Sequence, residues 1–360
     1  MNAPDRRTVV QHMSRHNHRD HPGAWTAGEL AGKEPVSYPL SAVAVSELLS
    51  SAIQVRASVS TLQQIHARDY HAPALTAELE SIRHELMHGR GLAVVSALPV
   101  TGHELPVLEA MYWGLGLQLG TPVSQSVMGD VLGYVTDVTD KERNVRPYRA
   151  RNALRLHTDF ADLSGLFCIR PAKTGGESRV VSTLAIHDEM ARRRPDLLEL
   201  LYRGYHFHRL GEQAKHEPNI TSHRVPIFSQ ANGHVSCRYS RAYIMEAEAA
   251  SGDVLSGDEK DALDLFDEIA YREDMRASFM LAPGEVLFMN SYTTLHTRSA
   301  FEDWEDASEK RLLLRLWLAA NEPRPVVPEV AVYSGNPNGI PIRGAGDPAG
   351  FERVATAGYS

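Results

Sequence analysis

The chain has 360 residues, 43% hydrophobic and 23% charged, and its 37 basic and 45 acidic side chains give a net charge of −8. That composition excludes wholesale disorder and a basic field for nucleic acid, and no apolar run approaches the ~20 residues a membrane helix needs. Cys168 and Cys237 are too few for a disulfide framework or a CxxC site, and no apolar signal core follows Arg6 and Arg7, so a cytoplasmic protein is expected, with no nucleic acid and no membrane as partner.

Residues 1–36 read as a polar, loosely packed arm in which His12, His16, His18 and His21 lie close together. Leu75, Leu79, Ile82 and Leu86 fall on one face of a helix that Gly89 or Gly91 stops. A strand at 92–98 ends at Pro99, and a helix at 103–119 ends at Gly120-Thr121-Pro122. From Val123 short apolar or alternating runs take over, at 131–138, 154–156, 166–169, 178–182, 225–228, 235–239, 279–281, 286–289 and 312–319. Two helices interrupt them. One spans 184–202 with a break near Pro195, and the other spans 258–272 behind a Ser256/Glu259 capping box. Many short strands at this spacing predict an α+β, mainly β chain built on an antiparallel sandwich or jelly roll. No linker splits the strand set, so one domain over 37–325 is expected. A Pro/Gly-rich tail follows at 326–360, the last 40 residues holding six Pro and six Gly.

The chemistry concentrates at His157-Thr158-Asp159. In extended chain, residues i and i+2 point the same way, so His157 and Asp159 can offer one nitrogen and one carboxylate to a single metal. His296, just beyond the apolar strand 286–289, supplies a third ligand. Two histidines and a carboxylate on one side of an octahedron leave positions open, the arrangement that suits Fe(II) oxygenases. Arg311 and Arg315 sit in the apolar run Leu312-Leu313-Leu314-Arg315-Leu316-Trp317, where a buried charge needs a partner, and a guanidinium matches a carboxylate in bidentate fashion. Glu285 or Glu302 could be that partner for Arg311; an anionic cosubstrate is the more economical one. Gly175-Gly176-Glu177-Ser178 forms a tight turn that delivers a hydroxyl into the next strand. A second HxD, His18-Arg19-Asp20, has no strand around it, and His206-Phe207-His208 has no accompanying carboxylate.

The set His157-x-Asp159, Gly175-Gly176-x-Ser178, His296 and Arg311-x-x-x-Arg315 resembles the Fe(II)/2-oxoglutarate-dependent dioxygenases of the taurine dioxygenase and clavaminate synthase type, over roughly 90–325. The resemblance implies a double-stranded β-helix core with flanking helices. It implies His157, Asp159 and His296 as ligands to Fe(II), with 2-oxoglutarate and O2 as cosubstrates. Arg311 then pairs the distal carboxylate of 2-oxoglutarate. Ser178 stands where the family usually has threonine, with Ser182 or Thr183 as the alternative hydroxyl, and Arg315 binds cosubstrate or an acidic substrate. It further implies oxidation of a C–H bond, most simply hydroxylation, with release of succinate and CO2. Asp159 argues against the related halogenases, which lack this carboxylate. Gln125, Tyr148, Asn290 and Arg298 are expected to line the pocket of a small polar or anionic substrate. A homo-oligomer is left open. The competing readings are a jelly-roll binding protein that has lost the chemistry and a zinc hydrolase on the same ligands.

Overall fold

The structure is a computed structural model and describes residues 18, 20–138, 150–333 and 335–343. Its strands in chain order are β1 Ser37–Pro39, β2 Leu92–Ser96, β3 Gly120–Pro122, β4 Leu132–Val135, β5 Leu163–Arg170, β6 Thr174–Gly175, β7 Ser178–Ser182, β8 Phe228–Ala231, β9 His234–Cys237, β10 Arg276–Phe279, β11 Val286–Asn290, β12 Thr294–Arg298, β13 Phe301–Glu302 and β14 Leu312–Ala320. The α-helices are α1 Ala27–Leu30, α2 Ala42–Ser58, α3 Pro73–His88, α4 Leu105–Leu119, α5 Thr183–Arg193, α6 Pro195–Arg203, α7 Arg241–Ser251 and α8 Gly257–Tyr271.

A seven-stranded sheet runs β1-β2-β11-β5-β14-β3, with β4 also on β14; only the β1–β2 pair is parallel. A second sheet runs β10-β7-β12, antiparallel throughout. Alternation along β14 explains how the large sheet is used. Leu312, Leu314, Leu316 and Leu318 join one apolar cluster with α2, α3 and α4, while Leu313, Arg315 and Trp317 turn to the opposite face. On that inner face Leu92, Val94, Cys168, Leu287, Met289 and Leu313 share a core with Val180, Ala277 and Phe279 of the small sheet. The two sheets thus pack face to face. Leu314 and Leu316 are fully buried, so truncating either to Ala costs ~2–5 kcal/mol.

The chain is mixed α/β, and the described residues hold more helix than strand, so "mainly β" fits the core and not the whole. The main helical surplus is α2. Its buried positions Ala44, Leu48, Ser51, Ala52 and Val55 recur at helical spacing, but small residues make that stripe faint. The expected strand at 154–156 is irregular. His157 alone forms isolated bridges there, to Ser240 and His296.

One close approach fixes α4 against the loop before α3. A Cβ at Gly114 would overlap the Tyr70 ring, whose hydroxyl donates to the Ala110 carbonyl at 2.6 Å. Gly114→Ala gains ~1 kcal/mol of helix propensity, yet it is expected to lower stability by ~1–3 kcal/mol through overpacking. A urea midpoint at unchanged m-value checks this.

The described part of the N-terminal arm is not loose. Trp25, Leu30 and Val36 are buried, and Trp25 Nε1 donates to the Arg90 carbonyl at 2.9 Å. Asp188 on α5 fastens its start. Its Oδ2 accepts the His18 backbone N–H at 2.8 Å, and its Oδ1 lies 2.7 Å from His18 Nδ1. Burial pushes the Asp188 carboxyl up, but the hydrogen bonds from His18 and His187 outweigh it and hold the group at about 2. The folded chain therefore binds this proton more weakly than the unfolded chain. The stabilisation is complete above about pH 4 and is lost as the pH falls toward 2. Asp188→Ala is expected to cost ~1–2 kcal/mol at pH 7 and markedly less at pH 2.5, read as the gap between wild-type and variant urea midpoints. At the other end of the chain Tyr333 and Ile340, within the expected tail, are also buried.

Candidate metal centre

The site forms where the irregular segment before β5 crosses β12. His157 and His296 exchange backbone hydrogen bonds, N–H to O at 3.1 and 3.0 Å, which sets their rings side by side with centroids 4.4 Å apart. Thr158 anchors the same segment. Its N–H donates to the Tyr239 carbonyl at 2.9 Å, and its hydroxyl accepts the Tyr239 N–H at 3.0 Å. The Arg238 guanidinium donates to the Asp159 carbonyl.

These contacts converge three side chains. His157 Nε2 lies 3.8 Å from Asp159 Oδ1, and His296 Nε2 lies 3.5 Å from Asp159 Oδ2. His157 Nδ1 sits 2.8 Å from the Arg155 carbonyl, so Nδ1 donates there and Nε2 is the ring nitrogen turned toward Asp159. Burial pushes His296 down to about 4, so it is neutral at pH 7. Burial disfavours a charged Asp159, but His296, Arg315 and His157 outweigh it, and the carboxyl ends below its ordinary range. Among the described residues Asp159 Oδ2 is nonetheless buried with no donor at hydrogen-bond distance, the Ser164 hydroxyl acting on the carboxyl from further off. A buried, ionised oxygen without a donor is costly unless a cation meets it. The donor set, one nitrogen from each of two histidines and one carboxylate, fits a divalent metal of the Fe(II) type.

Arg311 precedes β14, 4% exposed, with Nη1 buried and unpartnered and its guanidinium 5.1 Å from the Phe301 ring centre. Burial pushes it down to about 10, so it stays cationic at pH 7. Glu285 is not its partner, because Lys33 takes that carboxylate at 2.6 Å. Gly176, at φ +81°, makes room for it: a Cβ there would lie 3.3 Å from Arg311 Nε. Ser178 opens β7 on the inner face. The alternative hydroxyls are engaged elsewhere, Ser182 with the Gly23 carbonyl and the Ala185 N–H, Thr183 with the Tyr292 carbonyl. Arg315 donates from Nε to Gln125 Oε1 at 2.6 Å and lies over the Trp317 ring.

Gln125 is therefore brought to the site as the group that holds Arg315; its amide also donates to the Arg315 and Val131 carbonyls. Asn290 is not brought there. Its Nδ2 donates to the Leu86 carbonyl at 3.1 Å and its Oδ1 accepts the Tyr292 N–H at 3.0 Å, so it braces a turn against α3. Tyr148 lies outside the described residues. Arg298 ends β12 with its guanidinium 4.6 Å from the Phe301 ring centre. Sequence reasoning missed Phe301 and Trp317. Trp317 was findable, since it follows Arg315 by two on one strand. His18, His187 and Asp188 form a second group of potential ligands, in which His187 Nε2 also lies 2.9 Å from the Tyr202 hydroxyl; it is the clasp of the N-terminal arm.

Residues 58–317 match the model of the family described as taurine catabolism dioxygenase TauD, TfdA family. FR-33289 synthase of Streptomyces rubellomurinus is 36% identical over 240 residues, 65% of this chain and 70% of that one. The taurine hydroxylase-like protein SAT17 of Stachybotrys chartarum is 23% identical over 307 residues, covering 81% of this chain and 77% of that one. Among solved structures, asparagine oxygenase in complex with Fe(II), 3-hydroxyasparagine and succinate superposes with a TM-score of 0.62 at 15% identity, over 79% of this chain and 93% of that one.

Proposed function

Because the chain belongs to the taurine catabolism dioxygenase TauD/TfdA family, we propose that His157, Asp159 and His296 hold Fe(II) and that Arg311 and Ser178 bind the distal carboxylate of 2-oxoglutarate. The chain is an Fe(II)- and 2-oxoglutarate-dependent dioxygenase. Bound iron supplies the oxidising chemistry, in which O2 and 2-oxoglutarate are consumed, succinate and CO2 leave, and one oxygen atom enters a C–H bond. The observation that carries the site assignment is the buried Asp159 carboxylate oxygen, left without a donor at hydrogen-bond distance between two histidine nitrogens.

The protein's own residues do the positioning. The backbone exchange between His157 and His296 presets the ligand geometry, and the His157 contact to the Arg155 carbonyl fixes its tautomer. Arg311 offers a charge-assisted donor from a dry pocket against Phe301. Gln125 fixes Arg315, whose charge acts on Asp159, so Arg315 borders the place where the reacting bond lies. Trp317 and Phe160, with ring centres 6.4 Å apart, exclude water beside it. Arg315 there supports a small polar or anionic substrate, and the taurine hydroxylase-like relative points the same way by name. We read the two facing sheets as a double-stranded β-helix, with the dioxygenase domain at 37–325 and the segments 1–36 and 326–360 wrapped on it; buried Trp25 and Tyr333 support that wrapping. The reading also places the enzyme in the cytoplasm, acting on a small molecule and not on nucleic acid.

Anaerobic loading with Fe(II) and then 2-oxoglutarate is expected to give a visible charge-transfer band. Admitting O2 with a panel of small sulfonates, phosphonates and amino acids is expected to give succinate and a hydroxylated product in equal amounts. A protein that binds Zn²⁺ in preference, shows no band and forms no succinate would overturn the assignment.

A further inference from the structure

Arg298 is a second buried guanidinium in the compartment of Arg311, and the cosubstrate reading leaves it without a task. On the small sheet Arg298 lies directly across from Ser178, and Ser178 directly across from Phe279. Directly opposed residues point to the same face, and Phe279 belongs to the core between the sheets, so Arg298 and Ser178 point inward together. Arg311 reaches the same place from β14. The two guanidinium carbons lie over one ring, that of Phe301, at 4.6 Å for Arg298 and 5.1 Å for Arg311.

Among the described residues neither guanidinium is in direct contact with a carboxylate, though Asp137 acts on Arg298 and Asp303 on Arg311 from further off. Arg298 is 6% exposed. Its Nε donates to the Ser299 carbonyl at 3.2 Å, and its Nη2 to the carbonyls of Ala150 and Asn152 at 2.8 and 2.5 Å. All of these acceptors are neutral. Its Nη1 is buried without a partner, and so is that of Arg311. No ion pair joins either arginine to a carboxylate among the described residues; the nearby Glu177 takes the Ser299 hydroxyl instead. Two like charges buried on one ring, each with an unused N–H, call for an anion between them. Arg315 stands apart from this pair, its Nε held by Gln125 Oε1 at 2.6 Å and its guanidinium over the Trp317 ring and not that of Phe301.

We infer that Arg298 is a further binding residue for the 2-oxoglutarate distal carboxylate, which sits between the unpartnered Nη1 groups of Arg298 and Arg311 with the Ser178 hydroxyl beside it. This rests on the 2-oxoglutarate reading above. The pocket then selects for the distal charge, and a keto acid without it leaves two buried cations unpaired.

The test uses the full chain loaded with Fe(II) under anaerobic conditions. 2-Oxoglutarate and 2-oxopentanoate, which has the same carbon count but no distal carboxylate, are titrated by the charge-transfer band, and Fe(II) affinity is measured separately. Wild type is expected to prefer 2-oxoglutarate strongly. Arg298→Gln is expected to weaken 2-oxoglutarate roughly 10- to 100-fold, to leave 2-oxopentanoate and Fe(II) binding unchanged, and to be partly rescued by Arg298→Lys. Equal weakening of both keto acids, or loss of Fe(II) affinity, would assign Arg298 to loop support and overturn the proposal. So would a variant that binds 2-oxoglutarate as wild type does. A wild type that gives no band with 2-oxoglutarate overturns the cosubstrate reading itself, and this proposal with it.

Discussion

Asp159→Ala is expected to abolish 2-oxoglutarate turnover and to cut Fe(II) affinity by three powers of ten or more, without unfolding the protein. Losing a partner of a metal ligand already costs ~10–100-fold in affinity, and here a ligand and its charge both go. The metal-free fold depends on this carboxylate much less than the metal does. In the metal-free chain Asp159 is a carboxylate, 3% exposed, with one oxygen lacking a donor at hydrogen-bond distance, held ionised against its own burial. Its carboxyl lies below the ordinary range, so the fold gains from the ionised form, and removing it forfeits that gain. The metal-free variant is therefore expected to melt modestly below metal-free wild type at pH 7, while staying folded. The distinguishing readout is the response to metal. Fe(II) at a hundred times its dissociation constant stabilises a chain that binds it by ~2.7 kcal/mol, so wild type gains melting temperature and the variant does not. A variant that melts well below metal-free wild type would mean that Asp159 supports the fold, and an unchanged Fe(II) isotherm would remove it from the metal centre.

The grouping of His157, Asp159 and His296 was legible because its geometry is local. Two residues in extended chain fix His157 beside Asp159, and an apolar strand leads directly to His296. What lay beyond depends on partners far away in sequence. Ser178, Ser182 and Thr183 are equivalent on paper; only the pairing of β7 with β12 and the capping of α5 separate them. Asn290 stands near His296 in the chain, yet its amide is consumed by a carbonyl of α3 more than two hundred residues away in sequence. Nothing in the sequence around Phe301 marks it; what sets it apart is the two guanidiniums against its ring. The same holds for the fold. β14 could be read from its length and apolar content, whereas α2 buries alanine and serine, and Trp25 and Leu30 punctuate a polar stretch whose burial depends on what they meet. Periodicity reports a face only when the residues on it are large and contiguous.

Arg311→Ala carries the second large effect. It is expected to raise the KM for 2-oxoglutarate by two to three powers of ten while leaving Fe(II) affinity nearly intact. Truncating one partner of a buried, hydrogen-bonded charge pair costs ~2–5 kcal/mol, much of it from the charge left behind, here the carboxylate of the cosubstrate. Arg311→Lys is expected to recover little. The pocket suits a flat guanidinium, with Gly176 leaving room beside Nε and the Phe301 ring under the group, and an ammonium offers neither the fork nor the stacking. Burial lowers Arg311 only to about 10, so its charge is constant between pH 6 and 8, and the variant's defect should be flat across that range. A defect that varied with pH would point to a different titrating group. The pairing with Arg298 makes the effects non-additive. Both cations face one carboxylate, so once Arg311 is gone the loss of Arg298 should cost a different amount than it does in wild type. Strict additivity of Arg298→Gln and Arg311→Ala in 2-oxoglutarate affinity would mean that the two guanidiniums hold separate groups, with Arg311 alone on the cosubstrate.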